Sequence, residues 1–129
     1  MSTVRYEVTP SPKVRMTRRD TWATAKVRPA VQRWRAYQRE CQRLGMTVLD
    51  GDDLTFVLPM PASWSAKQRA ARDGTPHQSK PDLDNLCGGL FDACLPGGDQ
   101  HIHELAGMRQ RWGQVGAVVV TRKNLPENA

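Results

Sequence analysis

The sequence predicts an α/β fold: a small single domain in which a mixed β-sheet of about four strands packs with two main helices. Three observations carry this. Short segments of alternating or β-prone residues (4–9, 54–58, 104–112 and 115–121) interleave with two stretches whose apolar residues recur at helical spacing. The resulting order, strand, helix, strand, helix, strand, strand, reads as one sheet with helices packed on it. A chain of 129 residues with 39% hydrophobic content suffices for one core but not two.

Each element has a local cause. Val4 to Thr9 alternates apolar and polar side chains and is stopped by Pro10 and Pro12. Lys13 to Lys26 is basic and irregular, a loop suited to a phosphate backbone. Pro29 then fits a first helical turn, and Ala30, Trp34, Tyr37, Cys41 and Leu44 make one apolar stripe that Gly45 terminates. Arg28, Arg33, Arg35, Arg39 and Arg43 lie mostly off that stripe. Leu54 to Leu58 is a central strand closed by Pro59 and Pro61. Ala66 to Asp73 reads as a short basic helix or a mobile loop, with Lys67, Arg69 and Arg72 on it. Leu83, Leu86, Leu90 and Cys94 repeat at helical spacing, so a helix begins near Asp84 and ends before Pro96-Gly97-Gly98. Glu104–Trp112 and Val115–Thr121 read as two strands joined through Gly113-Gln114 as a hairpin. The domain is taken as residues 1–123, with 124–129 a loose tail.

Charge is uneven along the chain. The formal net charge is +6, yet residues 1–49 hold eleven Lys and Arg against three acids, and residues 50–129 hold eight against ten. The first half offers a polyanion-binding surface, or else a solvated basic face, and the second half holds most of the carboxylates. No apolar run approaches the roughly 20 residues of a membrane span. Met1 to Asp20 has no apolar stretch of a secretory signal, and three cysteines make no disulfide framework. The expectation is a cytoplasmic protein with no membrane partner.

The segment richest in chemistry is His77-Gln78-Ser79-Lys80-Pro81-Asp82-Leu83-Asp84-Asn85-Leu86. Pro81 disfavours the helical conformation at Lys80 and extends the approach. In an extended segment Asp82 and Asp84 point to the same side. Converging carboxylates repel unless a cation lies between them, and Mg²⁺ takes one or two carboxylates with substrate phosphate and water. Such a metal promotes phosphodiester hydrolysis. Asp99, in the Gly-rich loop after the helix, is the candidate third carboxylate. The bland alternative for Asp-x-Asp-Asn is an Asx-turn with a helix cap, Asp84 being a favoured N-cap residue.

The wider pattern shifts the balance between them. His77-x-x-Lys80-Pro81-Asp82-x-Asp84-Asn85-Leu86, then Phe91-Asp92-Ala93, then Asp99-x-His101-Ile102, resembles the RusA family of Holliday-junction resolvases. Pro59-Met60-Pro61-Ala62-Ser63-Trp64-Ser65-Ala66-Lys67, Lys13-Val14-Arg15-Met16-Thr17 with Asp20-x-Trp22, and Arg28-Pro29-Ala30-Val31 add to the likeness, which spans roughly residues 10–120. The resemblance implies a homodimer that binds four-way DNA junctions and nicks two strands symmetrically with Mg²⁺ (Mn²⁺ as a substitute), and a phage origin. It places Asp82, Asp84 and Asp99 in the metal site. Lys13, Arg15, Arg18, Arg19, Lys67, Arg69, Arg72 and Lys80 are the candidate phosphate contacts, with His77, Asn85, Asp92 and His101 as further site candidates.

Two departures stand out. The family carries a lysine four residues after the second aspartate, where this chain has Gly88, and often two adjacent acids where it has Gly98-Asp99. A cleavage-deficient junction-binding protein on the same scaffold is therefore the alternative. Gly88-Gly89 also costs a helix about 2 kcal/mol relative to alanines, so the helix is short or bent or something approaches its backbone closely. Asp92 is either a buried hydrogen-bonding or capping acid or a metal contact, and His77 either meets phosphate or stabilises its loop. Cys87, Cys94, His101 and His103 lack the paired spacing of a zinc site. Trp22 and Trp64 suit base stacking or core packing, while Trp34 lies on the core stripe.

Overall fold

The computed structural model describes residues 2–14, 28–95, 97–98 and 102–123. Among these are four strands and three helices: β1 (Ser2–Tyr6), α1 (Pro29–Arg43), β2 (Asp53–Pro59), α2 (Ala66–Arg72), α3 (Leu83–Cys94), β3 (Gly107–Gly113) and β4 (Ala117–Arg122). The sheet is mixed, in the order β1-β4-β2-β3, so the predicted α/β class holds. β2 pairs with β3 in parallel and with β4 antiparallel, and β4 pairs antiparallel with β1.

The hairpin predicted at Gly113-Gln114 does not form. A parallel β2–β3 pair needs a long crossover, and the segment carrying α2 and α3 supplies it. β4 then lies on the far side of β2 and fills the centre of the sheet. Gly113 lets the chain turn closely past β2, since a Cβ there would lie 2.3 Å from Val57 Cγ1. β3 also begins at Gly107, later than predicted. The preceding residues pack on the turn before β2 instead, with Gly51 N–H bonded to the Glu104 carbonyl and Ala106 N–H to the Asp52 carbonyl.

Alternation along β2 sends Leu54, Phe56 and Leu58 to one face, where they meet Val118 and Val120 of β4 and the helices. α1 contributes Val31, Trp34, Tyr37 and Cys41. The buried stripe thus starts at Val31, not Ala30, which is half-buried. The helix ends in a Schellman motif: Met46 N–H reaches the Cys41 carbonyl, Gly45 N–H reaches the Gln42 carbonyl, and Gly45 takes φ 64°. α3 buries Leu86, Gly89, Leu90 and Ala93 on the same core.

Two features invisible in the sequence lock this frame. Asp52, fully buried, accepts from Arg122 Nε (2.8 Å) and Nη2 (2.7 Å) and from Leu49 N–H (2.8 Å), joining the turn before β2 to the end of β4. The N-terminal segment crosses α3, with Lys13 N–H bonded to the Asn85 carbonyl at 3.0 Å. Gly89 permits that crossing, because a Cβ there would lie 2.3 Å from the Ser11 carbonyl oxygen.

Candidate metal and DNA site

The loop before α3 is held against the edge of the sheet. Gly74 N–H bonds to the Trp112 carbonyl (2.8 Å), Trp112 N–H to Thr75 (3.0 Å) and His77 N–H to Gln110 (3.0 Å), so residues 74–77 run along β3 as a partial extra strand. His77 is buried, its ring centroid 4.2 Å from that of Trp112, which in turn lies 4.8 Å from Trp64. Gln110 Nε2 lies 2.7 Å from His77 Nδ1, 3.2 Å from the Pro81 carbonyl and 3.4 Å from the Ser79 carbonyl. Burial holds the His77 pKa below its ordinary value, which suits a neutral ring accepting at Nδ1. These contacts make His77 part of what holds its loop, and the residue also lines the groove beside Asp82.

Asp82 follows, extended (φ −73°, ψ 152°), at the N-cap position of α3, and its carboxylate makes no capping bond. Asp84 is already in the first helical turn. This corrects two expectations. Asp84 is not the cap, and the two acids do not lie along one extended segment, because the helix begins at Leu83. Both sit instead at the helix start, where the aligned peptide dipoles favour negative charge. Both are exposed. An uncommitted pair of exposed carboxylates offers hard oxygen donors, and that donor set fits Mg²⁺ in its one-or-two-carboxylate mode. Asp99 and His101 lie outside the described residues, and no group of three metal-binding side chains occurs among those described.

Beside Asp82 opens a groove of about 550 Å³, lined by His77, Lys80, Asp82, Arg109, Gln110 and Arg111 among others. Lys80 is exposed on one side, and Arg109 and Arg111 rise from β3. Arg109 is already paired with Asp53 (2.8 Å) and bonded to Thr55 (2.9 Å). The two arginines and Gln110 were missed from sequence. Their only signal there is the run Arg109-Gln110-Arg111 inside a predicted strand, which is polar enough to mark an edge strand.

The other candidates separate. Lys13 lies over the face of α3, its Nζ 3.5 Å from Asp92 Oδ2, both side chains more than two-fifths exposed. Asp92 is thus a surface acid paired with lysine, not a buried one. Asn85 is exposed and receives Lys13 through its backbone carbonyl. Residues 66–72 resolve into a helix, α2, none of whose residues is buried; a Ser65–Gln68 capping box holds its start. Lys67 is exposed, whereas Arg69 is engaged with the Pro61 (2.9 Å) and Trp64 (3.3 Å) carbonyls and Arg72 lies 5.9 Å from the Trp64 ring centre. Trp64 packs at a tilt against Trp112, and Trp34 lies in the core. Arg15, Arg18, Arg19 and Trp22 lie outside the described residues. Cys41 is buried and Cys94 half-buried in the packing between α1 and α3. The hydrogen bond with Cys41 beside it and burial push the Cys94 thiol up, as fits a packed cysteine.

No helix of the described residues is long and apolar enough to cross a membrane. No curated protein matches the chain. The family model described as endodeoxyribonuclease RusA matches residues 5–101, which include the end of β1, β2, all three helices, the His77–Leu86 segment and Asp99. With three quarters of its length matched, and with Asp82 at the start of α3 lining a groove that bears Lys80 and Arg111, the chain belongs to the RusA endodeoxyribonuclease family.

Proposed function

We propose that this protein is a structure-selective endonuclease that binds four-way DNA junctions and nicks them by Mg²⁺-dependent phosphodiester hydrolysis, acting as a homodimer in recombination and repair and encoded by a phage. The observation that carries the reading is two exposed carboxylates at the start of α3, Asp82 at the N-cap with no capping bond and Asp84 in the first turn, with Asp82 lining a groove that bears Lys80 and Arg111. Asp82 and Asp84 would hold the metal, with Asp99 as third ligand. When bound, Mg²⁺ supplies the charge that polarises the phosphate and steadies the leaving oxygen. The chain's own groups do the rest. Lys80, Lys13 and Lys67 bind phosphates, and the His77–Gln110 contact holds the loop that ends in Asp82. A two-fold dimer accounts for two opposed cuts.

The test is a labelled synthetic four-way junction beside a linear duplex of the same sequence, each with Mg²⁺ or Mn²⁺. Paired nicks in the junction alone support the reading, and its failure in both metals opposes it. A second reading, a junction-binding protein that no longer cuts, is motivated by Gly88. Tight junction binding with no nick in either metal selects it.

A further inference from the structure

Gln110 spends its amide on the segment that delivers Asp82. Its Nε2 reaches His77 Nδ1 at 2.7 Å, the Pro81 carbonyl at 3.2 Å and the Ser79 carbonyl at 3.4 Å. Carbonyl oxygens only accept, so two of the three partners fix which end of the amide faces the loop. The third follows: His77 Nδ1 is an acceptor and the ring proton sits on Nε2. The other end of the amide, Oε1, is buried with no partner. A side chain kept only for packing would do better without that oxygen, since a buried unpaired polar atom is destabilising and an apolar side chain of the same length is not. The residue's chemistry is therefore explained by its donors, and its donors go to the loop. Pro81 has no N–H with which to anchor itself, and Gln78, Ser79 and Lys80 are exposed, so packing does little to hold this stretch. β3, by contrast, is bonded along its length to β2.

We propose that Gln110 is a positioning residue for Asp82: its amide fixes the Ser79–Pro81 backbone to β3 through the Pro81 carbonyl, His77 completes the clamp, and the carboxylate that follows is thereby set at the rim of the groove. This rests on the reading of Asp82 as part of the cutting site. His77, its ring packed at a tilt against Trp112, is the rigid partner, and its backbone N–H to the Gln110 carbonyl (3.0 Å) closes a second contact between the same two residues.

The experiment uses Gln110→Met, which keeps the length of the side chain and removes both its donors and its unpaired oxygen. Three quantities are read on the full chain: the thermal midpoint, the affinity for a four-way junction, and the single-turnover nicking rate. The expected result is an unchanged midpoint and junction affinity with a nicking rate lowered about tenfold or more, the scale at which a small misplacement of a reacting group acts. A rate equal to wild type overturns the proposal, and so does a rate that falls only in step with the midpoint and the affinity. A fourth reading does not depend on cutting. In ¹⁵N spectra without DNA, the Ser79–Leu83 amides and the His77 ring nitrogens are expected to shift in the variant. If the wild type cuts nothing, shifted signals uphold the positioning role while the cleavage reading fails, and unshifted signals overturn the positioning role itself.

Discussion

Lys13 donates its backbone N–H to the Asn85 carbonyl at 3.0 Å, and by this bond the N-terminal segment is laid across α3 above Gly88 and Gly89. The two glycines are not equivalent. A Cβ on Gly89 would lie 2.3 Å from the Ser11 carbonyl oxygen and 3.1 Å from Lys13 N, whereas one on Gly88 would meet Lys13 Cδ at an ordinary 3.5 Å. Gly89→Ala must push backbone away and is expected to cost about 2 kcal/mol or more. Gly88→Ala gains helix propensity and is expected to be neutral or to stabilise by up to about 1 kcal/mol. Thermal melts of the two variants read the difference, and equal effects would deny the crossing its role.

The Asp52–Arg122 pair yields a second expectation. Arg122→Ala leaves a fully buried carboxylate with only the Leu49 N–H to answer it, and a broken buried pair costs about 3–5 kcal/mol. Urea unfolding measures this. A loss under about 1 kcal/mol, typical of an exposed pair, would contradict the burial assigned to Asp52.

Stability should also depend on pH through His77. Burial lowers the pKa of its ring in the folded state, so below the unfolded value of about 6.5 the unfolded chain binds more protons than the folded one. The stabilisation from a neutral His77 is then complete above about pH 6.5 and is lost as the pH falls toward the lowered folded value. His77→Gln keeps a polar side chain and removes this titration. Unfolding free energies measured from neutral pH downward are expected to fall more steeply for the wild type than for the variant. Parallel curves would mean that the ring already titrates as in solution.

Cations that touch DNA are distinguished from cations that hold the fold by salt. Lys80→Ala and Lys67→Ala remove exposed charges, and each is expected to weaken junction binding and reduce the slope of log affinity against log salt by about one. Arg69 is committed to the Pro61 and Trp64 carbonyls, so Arg69→Ala is expected to lower the thermal midpoint and leave the slope nearly unchanged. Fluorescence anisotropy at several salt concentrations separates the two classes.

Much of this molecule is legible in its sequence, for reasons that differ by element. α1 announces itself through Pro29, a recurrent apolar stripe and Gly45, all of them local signals, and it forms from Pro29 to Arg43. The start of α3 is legible because Pro81 and the leucine spacing are local too. The β3–β4 hairpin fails as a prediction because strand pairing is decided by the α3 crossover and the sheet centre, and Gly113-Gln114 looks the same in either topology. Asp82 and Asp84 stand out in the sequence as an extended Asp-x-Asp run, whereas the structure puts one at the N-cap and the other in the first turn of α3, because the helix begins one residue earlier than the spacing suggests. Gln110 and Arg122 escape altogether, since each acts on a partner tens of residues away and nothing near it in the chain betrays that partner.

The central claim is that the carboxylate at the start of α3 serves cleavage and not folding. The most direct measurement is single-turnover nicking of a four-way junction in Mg²⁺ by the wild type and by Asp82→Asn, with junction affinity and thermal midpoint measured on the same samples. The account predicts metal-dependent nicking by the wild type, and a variant that folds and binds the junction as well but does not cut it. Equal nicking by Asp82→Asn, or wild-type nicking indifferent to metal, would contradict it.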